Sequence, residues 1–205
     1  MRERLISVAI RQFGERGFDG ASTRDIAAEA ETTMSNITYH FGGKEGLYRA
    51  AAEAIVMRFA SVTADLFRDH QDEGTEPDAA RRIEIVGTVL RTIGAFMLSD
   101  EAAPFARFVA REQQNPASVM REFFEREIKP KVRMLEEQVK HLRPDLNDQE
   151  VSATVFYLLS MAISLRSSRL SLCMFMDVPD IEEPLGSQML DRLDHIVREL
   201  LEVKP

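Results

Sequence analysis

The sequence of 205 residues predicts an all-α fold. Apolar residues recur three and four positions apart over long stretches, as in Leu5, Ile6, Ala9, Ile10 and Phe13. No run of useful length alternates apolar and polar residues with the period of two that is typical of a half-buried strand. Glycine, proline and capping residues separate the periodic segments, which is where helices begin and end.

The N-terminal part is predicted to contain three helices followed by a longer fourth. Gly17 is suited to end the first helix, because glycine tolerates the backbone conformation found after a helix C-terminus. Ser22 or Thr23 can cap the second helix and Thr32 or Thr33 the third, since their side-chain oxygens can accept from free backbone N–H groups. The predicted bounds are about 2–16, 23–30, 34–40 and 44–68.

Five further helices are predicted after a polar stretch, residues 69–78, that is typical of a linker. Pro130 is expected to kink or split the third of them, because proline lacks the backbone N–H that a helix interior needs. Asn147 and Glu150 have the spacing of a capping box at the start of the fourth. The predicted bounds are about 79–98, 102–114, 116–142, 147–172 and 186–203.

The composition disfavours several classes of protein. A single cysteine, Cys173, excludes a disulfide framework and a multi-thiolate metal site, and the four histidines are too dispersed for a ligand pair. No Glu-x-x-His motif and no nucleophile–base motif occurs. We therefore expect no metal, no cofactor and no catalysis.

Membrane and export signals are also missing from the sequence. The N-terminal segment lacks the continuous apolar run of a signal peptide. The longest uncharged stretch, residues 151–165, is too short to span a bilayer. We therefore expect a cytoplasmic protein with no membrane partner.

The net charge is −8 and the pI is near 5.1, which at first argues against a nucleic-acid partner. The acidic excess, however, lies outside the N-terminal helices. Residues 1–60 hold eight Lys and Arg against eight Asp and Glu, whereas residues 61–205 hold 18 against 26. A neutral N-terminal part predicts modest non-specific affinity for DNA and a shallow dependence on salt.

Two short helices joined by a tight turn and preceded by an amphipathic helix are typical of a helix-turn-helix unit, here about residues 22–41. The pattern is carried by Gly17-Phe18, Thr23-Arg24-Asp25-Ile26-Ala27 and Asn36-Ile37-Thr38-Tyr39-His40-Phe41-Gly42-Gly43-Lys44-Glu45-Gly46-Leu47-Tyr48. In order and spacing it resembles the N-terminal domain of TetR-family transcriptional regulators, over about residues 4–50. The resemblance implies a helix-turn-helix DNA-binding domain at 1–48 and a helical-bundle ligand-binding and dimerisation domain at 49–205.

A helix that enters the major groove needs donors and acceptors for base edges and phosphates. Asn36 is suited to adenine, and Lys44 can hold a phosphate at the start of the fourth helix. The resemblance implies that Tyr39 and His40 face phosphates, although a packing role for Tyr39 and a capping role for His40 stay open. The candidate DNA-binding residues are Ser22, Thr23, Thr33, Ser35, Asn36, Thr38, Tyr39, His40 and Lys44.

The turn between the two short helices departs from the family pattern. Glu31-Thr32 stands where the family usually has glycine and a small apolar residue. Glu31 must therefore adopt the turn without glycine's conformational freedom. It also places a negative charge close to the expected DNA.

A second resemblance lies further along the chain. Phe105-Ala106-Arg107-Phe108-Val109-Ala110-Arg111-Glu112-Gln113, with Pro116 and Ile128-Lys129-Pro130, resembles the C-terminal domain of the CecR-like branch. That branch is associated with the control of export and drug-sensitivity genes. In the family, the last two long helices form a four-helix dimer interface. The uncharged helix at 151–165 needs burial on nearly all sides, which either such an interface or packing within the chain would provide.

The C-terminal helices are rich in Phe and Met, which favours either a packed core or a cavity for an apolar ligand. Arg107 and Arg111 can orient a polar ligand group, or they can form a solvated ion-pair face. The candidate ligand-binding residues are Phe105, Arg107, Phe108, Arg111, Phe124, Phe156 and Met161.

These patterns predict a ligand-responsive, DNA-binding transcriptional regulator. The favoured form is a homodimeric repressor that a small apolar or amphipathic effector releases from a palindromic, double-stranded DNA operator. The alternative, which Glu31 motivates, is a helical small-molecule or protein-binding module whose head no longer binds DNA specifically.

Overall fold

A computed structural model describes residues 1–66, 76–115 and 118–202. These residues contain α-helices and no strand, which confirms the all-α prediction. The helices are α1 (Arg2–Gly20), α2 (Thr23–Glu29), α3 (Met34–Phe41), α4 (Lys44–Val62), α5 (Ala79–Leu98), α6 (Ala102–Glu112), α7 (Met120–Glu127), α8 (Lys129–Leu142), α9 (Asp148–Ser167), α10 (Arg169–Met176) and α11 (Leu185–Leu201).

The predicted caps are confirmed except at Thr33, which is the N-cap residue of α3 but whose side chain forms no capping hydrogen bond. Gly17 interrupts α1 with φ 74° and ψ 175°, after which one further helical turn follows. The Ser22 side chain accepts from the backbone N–H of Asp25 and so caps α2. Asn147 and Glu150 form the predicted capping box at the start of α9.

Three predicted helices differ from the structure. In the predicted helix 44–68, α4 ends at Val62, a turn follows at Thr63, and residues 64–66 are helical again. The predicted helix 116–142 is split near Pro130, as expected: α7 ends at Glu127, and the proline is the second residue of α8, where its missing N–H costs no helical bond. The predicted helix 147–172 was wrong, because it breaks at Ser168 and α10 leaves α9 at 82°.

Parts of four predictions fall on residues that the structure does not describe. These are most of the predicted linker, the expected helix start at Pro116, residues 67–68 of the predicted helix 44–68 and residue 203 of the last predicted helix. In the described ranges no single helix is long and apolar enough to cross a membrane. Helices α9 and α10 reach that length and composition only as a bent pair.

The chain packs as two compact units. The first comprises Met1–Ala60 and Glu101–Ile128, and the second comprises Ser61–Asp100 and Lys129–Pro205. Packing thus groups α6 and α7 with the N-terminal helices. The division at residue 48 into two functional domains stays a prediction.

In the first unit, α1 and α6 approach each other at Gly14. A Cβ atom there would lie 3.2 Å from the backbone N of Phe108 and from the carbonyl oxygen of Pro104. Phe108 is fully buried and its ring lies 5.0 Å from that of Tyr48 on α4. Close backbone approach and aromatic contacts therefore hold α1, α4 and α6 together.

In the second unit, α5 packs against α9 and α11. At Gly94 a Cβ atom would lie only 2.8 Å from Cδ2 of Leu190, so the glycine permits the close approach of α5 and α11. The Arg91 guanidinium donates to Asp191 and Asp194 on α11 at 2.8 and 2.7 Å. The core side chains include Val86, Val89, Leu90, Val139, Leu158, Val197 and Leu201.

Candidate nucleic-acid interface

Helices α2 and α3 are positioned by a small buried face on each. Ile26 and Ala27 of α2 and Ile37 of α3 are buried, with Ile37 only 2% exposed. Because α3 has just two turns, burial of Ile37 determines which of its side chains face outward. The exposed polar side chains of α3, namely Ser35, Thr38, Tyr39 and His40, therefore point away from this buried contact.

The turn between α2 and α3 is centred on Glu31, whose φ is 54°. The expectation that this residue adopts the turn without glycine's freedom is confirmed. Arg4 forms two contacts with its carboxylate, at 2.7 and 2.8 Å. The Arg4 hydrogen bond, together with Coulombic attraction, lowers the pKa of the Glu31 carboxyl. Arg4 therefore offsets the negative charge that the sequence places beside the reading surface.

The predicted DNA-binding residues of α3 and its N-cap mostly lie at the surface. Thr33, Ser35, Thr38, Tyr39 and His40 are exposed, and Tyr39 reaches 83%. The Tyr39 side chain therefore does not pack in the core of this chain. His40 lies edge-on to Tyr39, with 5.0 Å between the ring centroids.

Asn36 is half-buried, and its Nδ2 donates to the Thr32 hydroxyl at 2.7 Å. This bond orients the amide, because one donor is held by the turn that precedes α3. Ser22 and Thr23 are half-buried at the start of α2, where the Ser22 hydroxyl oxygen already serves as the helix cap.

The junction between α3 and α4 requires glycine. Gly42 caps α3 with φ 74°, and Gly43 has φ 128°. A Cβ atom on Gly46 would lie 1.7 Å from the carbonyl oxygen of Phe41, which no side chain can accommodate. Lys44 is half-buried, with its Nζ 3.4 Å from the Asp19 carbonyl oxygen and 4.8 Å from the Phe18 ring centroid.

Two further cations near this surface were not among the predicted site residues. Arg2 at the start of α1 and Arg24 in α2 are exposed, and neither forms an ion pair within the described residues. Sequence alone does not distinguish them from arginines that pair with carboxylates. Only the fold shows which carboxylates come within reach.

The candidate ligand residues of the first unit have varied surroundings. Phe108 is buried, Phe105 is half-buried and Phe124 is exposed. Arg111 donates to the carbonyl oxygens of Gly14 and Glu15 at 2.8 and 2.7 Å, and Arg107 lies 3.5 Å from the Glu15 carboxylate. Both arginines therefore contact the C-terminal part of α1.

The two candidates in the second unit lie on α9. Met161 is half-buried and Phe156 is 64% exposed. Among the described residues this helix is not buried on nearly all sides, because Tyr157 and Ile163 are exposed as well. The ligand-binding role of all seven candidates stays a prediction.

No group of three or more His, Cys, Asp or Glu side chains in the described ranges is arranged to hold a metal ion. The described residues instead form a short helix, α3, that is anchored by Ile37 and has polar side chains directed outward. Such a surface can donate to and accept from base edges and phosphates.

Two family models together match most of the chain. Residues 5–51 match bacterial regulatory proteins of the tetR family. Residues 82–202 match the C-terminal domain of the HTH-type transcriptional dual regulator CecR. Both resemblances expected from the sequence are thereby confirmed.

Curated relatives and solved structures agree with these matches. The HTH-type transcriptional dual regulator CecR of Shigella flexneri is 34% identical over 135 residues, which cover 63% of this chain and 58% of that protein. The biofilm operon icaADBC HTH-type negative transcriptional regulator IcaR of Staphylococcus epidermidis is 32% identical over 72 residues, 35% of this chain and 37% of that protein. The matched part of this chain thus spans well under two thirds of either relative.

A crystal structure of a TetR-like transcriptional regulator from Rhodococcus sp. RHA1 shares the fold with a TM-score of 0.67. It is 19% identical, and the alignment covers 97% of this chain and 95% of that one. These proteins are named as transcriptional regulators, in agreement with the prediction that the chain is not an enzyme. The chain belongs to the TetR family of bacterial regulatory proteins and has a C-terminal region of the CecR type.

Proposed function

We propose that this chain is a DNA-binding transcriptional regulator that reads its operator with α3. The main support for this proposal is the outward polar face of α3. The buried Ile37 anchors this helix, and Lys44 lies just after its end. Asn36 offers an amide for a base edge, while Tyr39, His40 and Lys44 offer donors for phosphates. The ion pair of Arg4 with Glu31 removes the main objection to DNA binding.

Genomic-fragment capture with the purified chain tests this proposal. Sequencing the captured fragments is expected to reveal one enriched palindrome, with half-sites about 34–36 Å apart centre to centre. Absence of enrichment at low salt would support the alternative, a helical binding module whose head does not use DNA specifically.

Two variants test the assignment of the reading surface. Asn36→Ala is expected to abolish the preference for the enriched site over a scrambled one, because it removes a base-edge contact. Lys44→Ala is expected to weaken binding to both sequences, because a phosphate contact is independent of sequence. Lys140→Ala, which removes an exposed lysine paired with Asp148 on another helix, is the control. Unchanged gel-shift affinity for both test variants would contradict the assignment.

The proposed active form is a homodimer. Exposed apolar side chains on the second unit support a covered surface there, since apolar area of this kind is uncommon on a monomer. They are Phe156, Tyr157 and Ile163 on α9, Leu170, Met174 and Phe175 on α10, and Leu200 on α11. Light scattering is expected to give twice the chain mass, and Phe156→Ser with Tyr157→Ser is expected to give the monomer and weaker operator binding.

We further propose repression in the cytoplasm, relieved by a small apolar or amphipathic effector. A ligand that favours one of two conformations would shift the dimer away from the DNA-binding one. Native mass spectrometry of the purified chain tests this by detecting a retained small molecule. Adding that molecule back to the ligand-free chain is expected to release operator DNA, whereas tighter DNA binding would indicate activation.

A further inference from the structure

Ion pairs divide the cations of the N-terminal helices into two groups. Among residues 1–60, the arginines at 4, 11, 16, 49 and 58 each contact a carboxylate. Arg2, Arg24 and Lys44 contact none in the part of the chain that the structure describes. The neutral sum of charge over these residues therefore includes three cations with no carboxylate partner among the described residues, beside Glu3, Asp19 and Glu45, which form no ion pair there either.

Two of the three uncompensated cations lie over aromatic rings. The Lys44 Nζ lies 4.8 Å from the centroid of the Phe18 ring, and the Arg2 Cζ lies 5.5 Å from that of the Phe41 ring. A ring face attracts a cation through its quadrupole and does not neutralise the charge. The side chains are thus oriented while their full charge stays available.

Arg2 comes from the start of α1 and reaches the end of α3. Phe41 is the last residue of α3 and directly follows Tyr39 and His40, two of the predicted phosphate contacts. A guanidinium that lies over a ring leaves its N–H donors, which point outward in its own plane, free to bond elsewhere. Glu3, the adjacent acidic residue, is exposed and forms no ion pair with Arg2.

We propose that Arg2 is a further DNA-binding residue, which contacts a backbone phosphate beside the segment read by α3. The inference rests on the proposed DNA-binding function. The planar fork of the guanidinium matches two phosphate oxygens, and Phe41 holds it in place before DNA arrives. Arg2 contributes affinity and no sequence preference, because phosphates are alike along the duplex.

The expected signature of a phosphate contact has two parts. Arg2→Ala weakens binding of the proposed dimer about a hundredfold, or about tenfold for the charge-assisted hydrogen bond lost by each protomer, and does so equally for operator and scrambled DNA. It also makes the plot of log affinity against log salt shallower by about 1.8, which is about 0.9 for the phosphate neutralised by each protomer of the proposed dimer.

Fluorescence anisotropy with a labelled operator fragment, at several salt concentrations, measures both parts. Arg11→Ala is the matched control, because it removes one positive charge from the same helix and Arg11 is already paired with Glu29. Arg2→Lys should restore the salt slope and only part of the affinity. Phe41→Leu, checked for helicity by circular dichroism, should cost less affinity in the Arg2→Ala background than in the wild type.

The outcomes separate this inference from the function on which it rests. If the wild type binds the operator and Arg2→Ala binds with the same affinity and slope, Arg2 touches no phosphate and the inference is wrong. If Arg2→Ala weakens binding to the operator but not to scrambled DNA, and the salt slope is unchanged, the inference is also wrong, because that result indicates a base contact. If the wild type binds no DNA, the proposed function and this inference fail together.

Discussion

The Tyr48 hydroxyl donates a 2.6 Å hydrogen bond to Oε1 of Glu112, a carboxylate that is only 4% exposed. The Ser118 hydroxyl donates to the other oxygen, Oε2, at 2.7 Å. A buried carboxylate requires such donors, because burial removes its water. The pair therefore joins α4, which begins at the expected DNA-binding end of the chain, to the C-terminus of α6.

Tyr48→Phe is expected to lower the free energy of unfolding by about 1–3 kcal/mol, because it leaves a buried carboxylate oxygen without its donor. Urea unfolding followed by circular dichroism measures the change. Tyr39→Phe is the control, since the exposed Tyr39 should tolerate the same deletion with little effect. Equal stability of the Tyr48 variant and the wild type would show that the hydrogen bond contributes nothing.

Stability is expected to fall at alkaline pH through Tyr48. Burial, followed by the hydrogen bond to Glu112, raises the pKa of the Tyr48 hydroxyl above its ordinary value. The folded state then holds a proton that the unfolded state releases near pH 10. The contribution is therefore complete below about pH 10 and is lost as the pH rises above it. Unfolding free energies between pH 9 and 11 should fall more steeply for the wild type than for Tyr48→Phe, and parallel curves would contradict this.

Gly46→Ala is expected to disrupt the junction of α3 and α4. Its Cβ would overlap the Phe41 carbonyl oxygen, so α3 must shift, and both stability and operator affinity should fall. Gly87→Ala is the matched control: its Cβ would have no neighbour closer than 3.8 Å, and alanine should stabilise α5 by up to about 1 kcal/mol. Thermal unfolding and gel shift of both variants provide the comparison, and a Gly46 variant with wild-type DNA affinity would contradict the expected shift.

Glu31→Gly is expected to be more stable than Glu31→Ala by about 1 kcal/mol. Both variants lose the exposed ion pair with Arg4, but only alanine keeps a Cβ at a φ of 54°. The difference between the two melting curves isolates the backbone cost from the ion pair. An alanine variant as stable as the glycine variant would show that the turn tolerates a Cβ freely.

Arg166→Lys is expected to destabilise the second unit by about 1–3 kcal/mol. The Arg166 guanidinium donates to the carbonyl oxygens of Met97, Leu98 and Ser99 at 2.5–2.8 Å, where α5 ends. A lysine ammonium cannot reproduce this planar fork. Arg133→Lys, at an exposed position on α8, is the control for urea unfolding. A destabilisation no larger than that of the control would show that the hydrogen bonds to these carbonyl oxygens contribute nothing to the free energy of unfolding.

The sequence by itself determined the features that depend on neighbours along the chain. Helical periodicity, the Ser22 cap, the Asn147–Glu150 capping box and the strained turn at Glu31 all follow from residues a few positions apart. These features rest on local backbone geometry and on short side chains that reach their own turn. The family resemblance was accessible for the same reason, because its motif lies in one continuous stretch.

Only the tertiary structure decided which charges are compensated and which helices continue. Arg4 pairs with Glu31 across 27 positions, and Tyr48 reaches Glu112 across 64.

The bend at Ser168, which the apolar pattern does not show, separates Arg166 from Arg169. Arg166 donates to the end of α5, and Arg169 donates to Asp180 and Ile181. Hydrogen bonds and ion pairs act over a few ångströms in space, so their partners depend on which helices meet. For that reason Arg2 is indistinguishable from Arg4 in the sequence, whereas in the fold one lies over an aromatic ring and the other against a carboxylate.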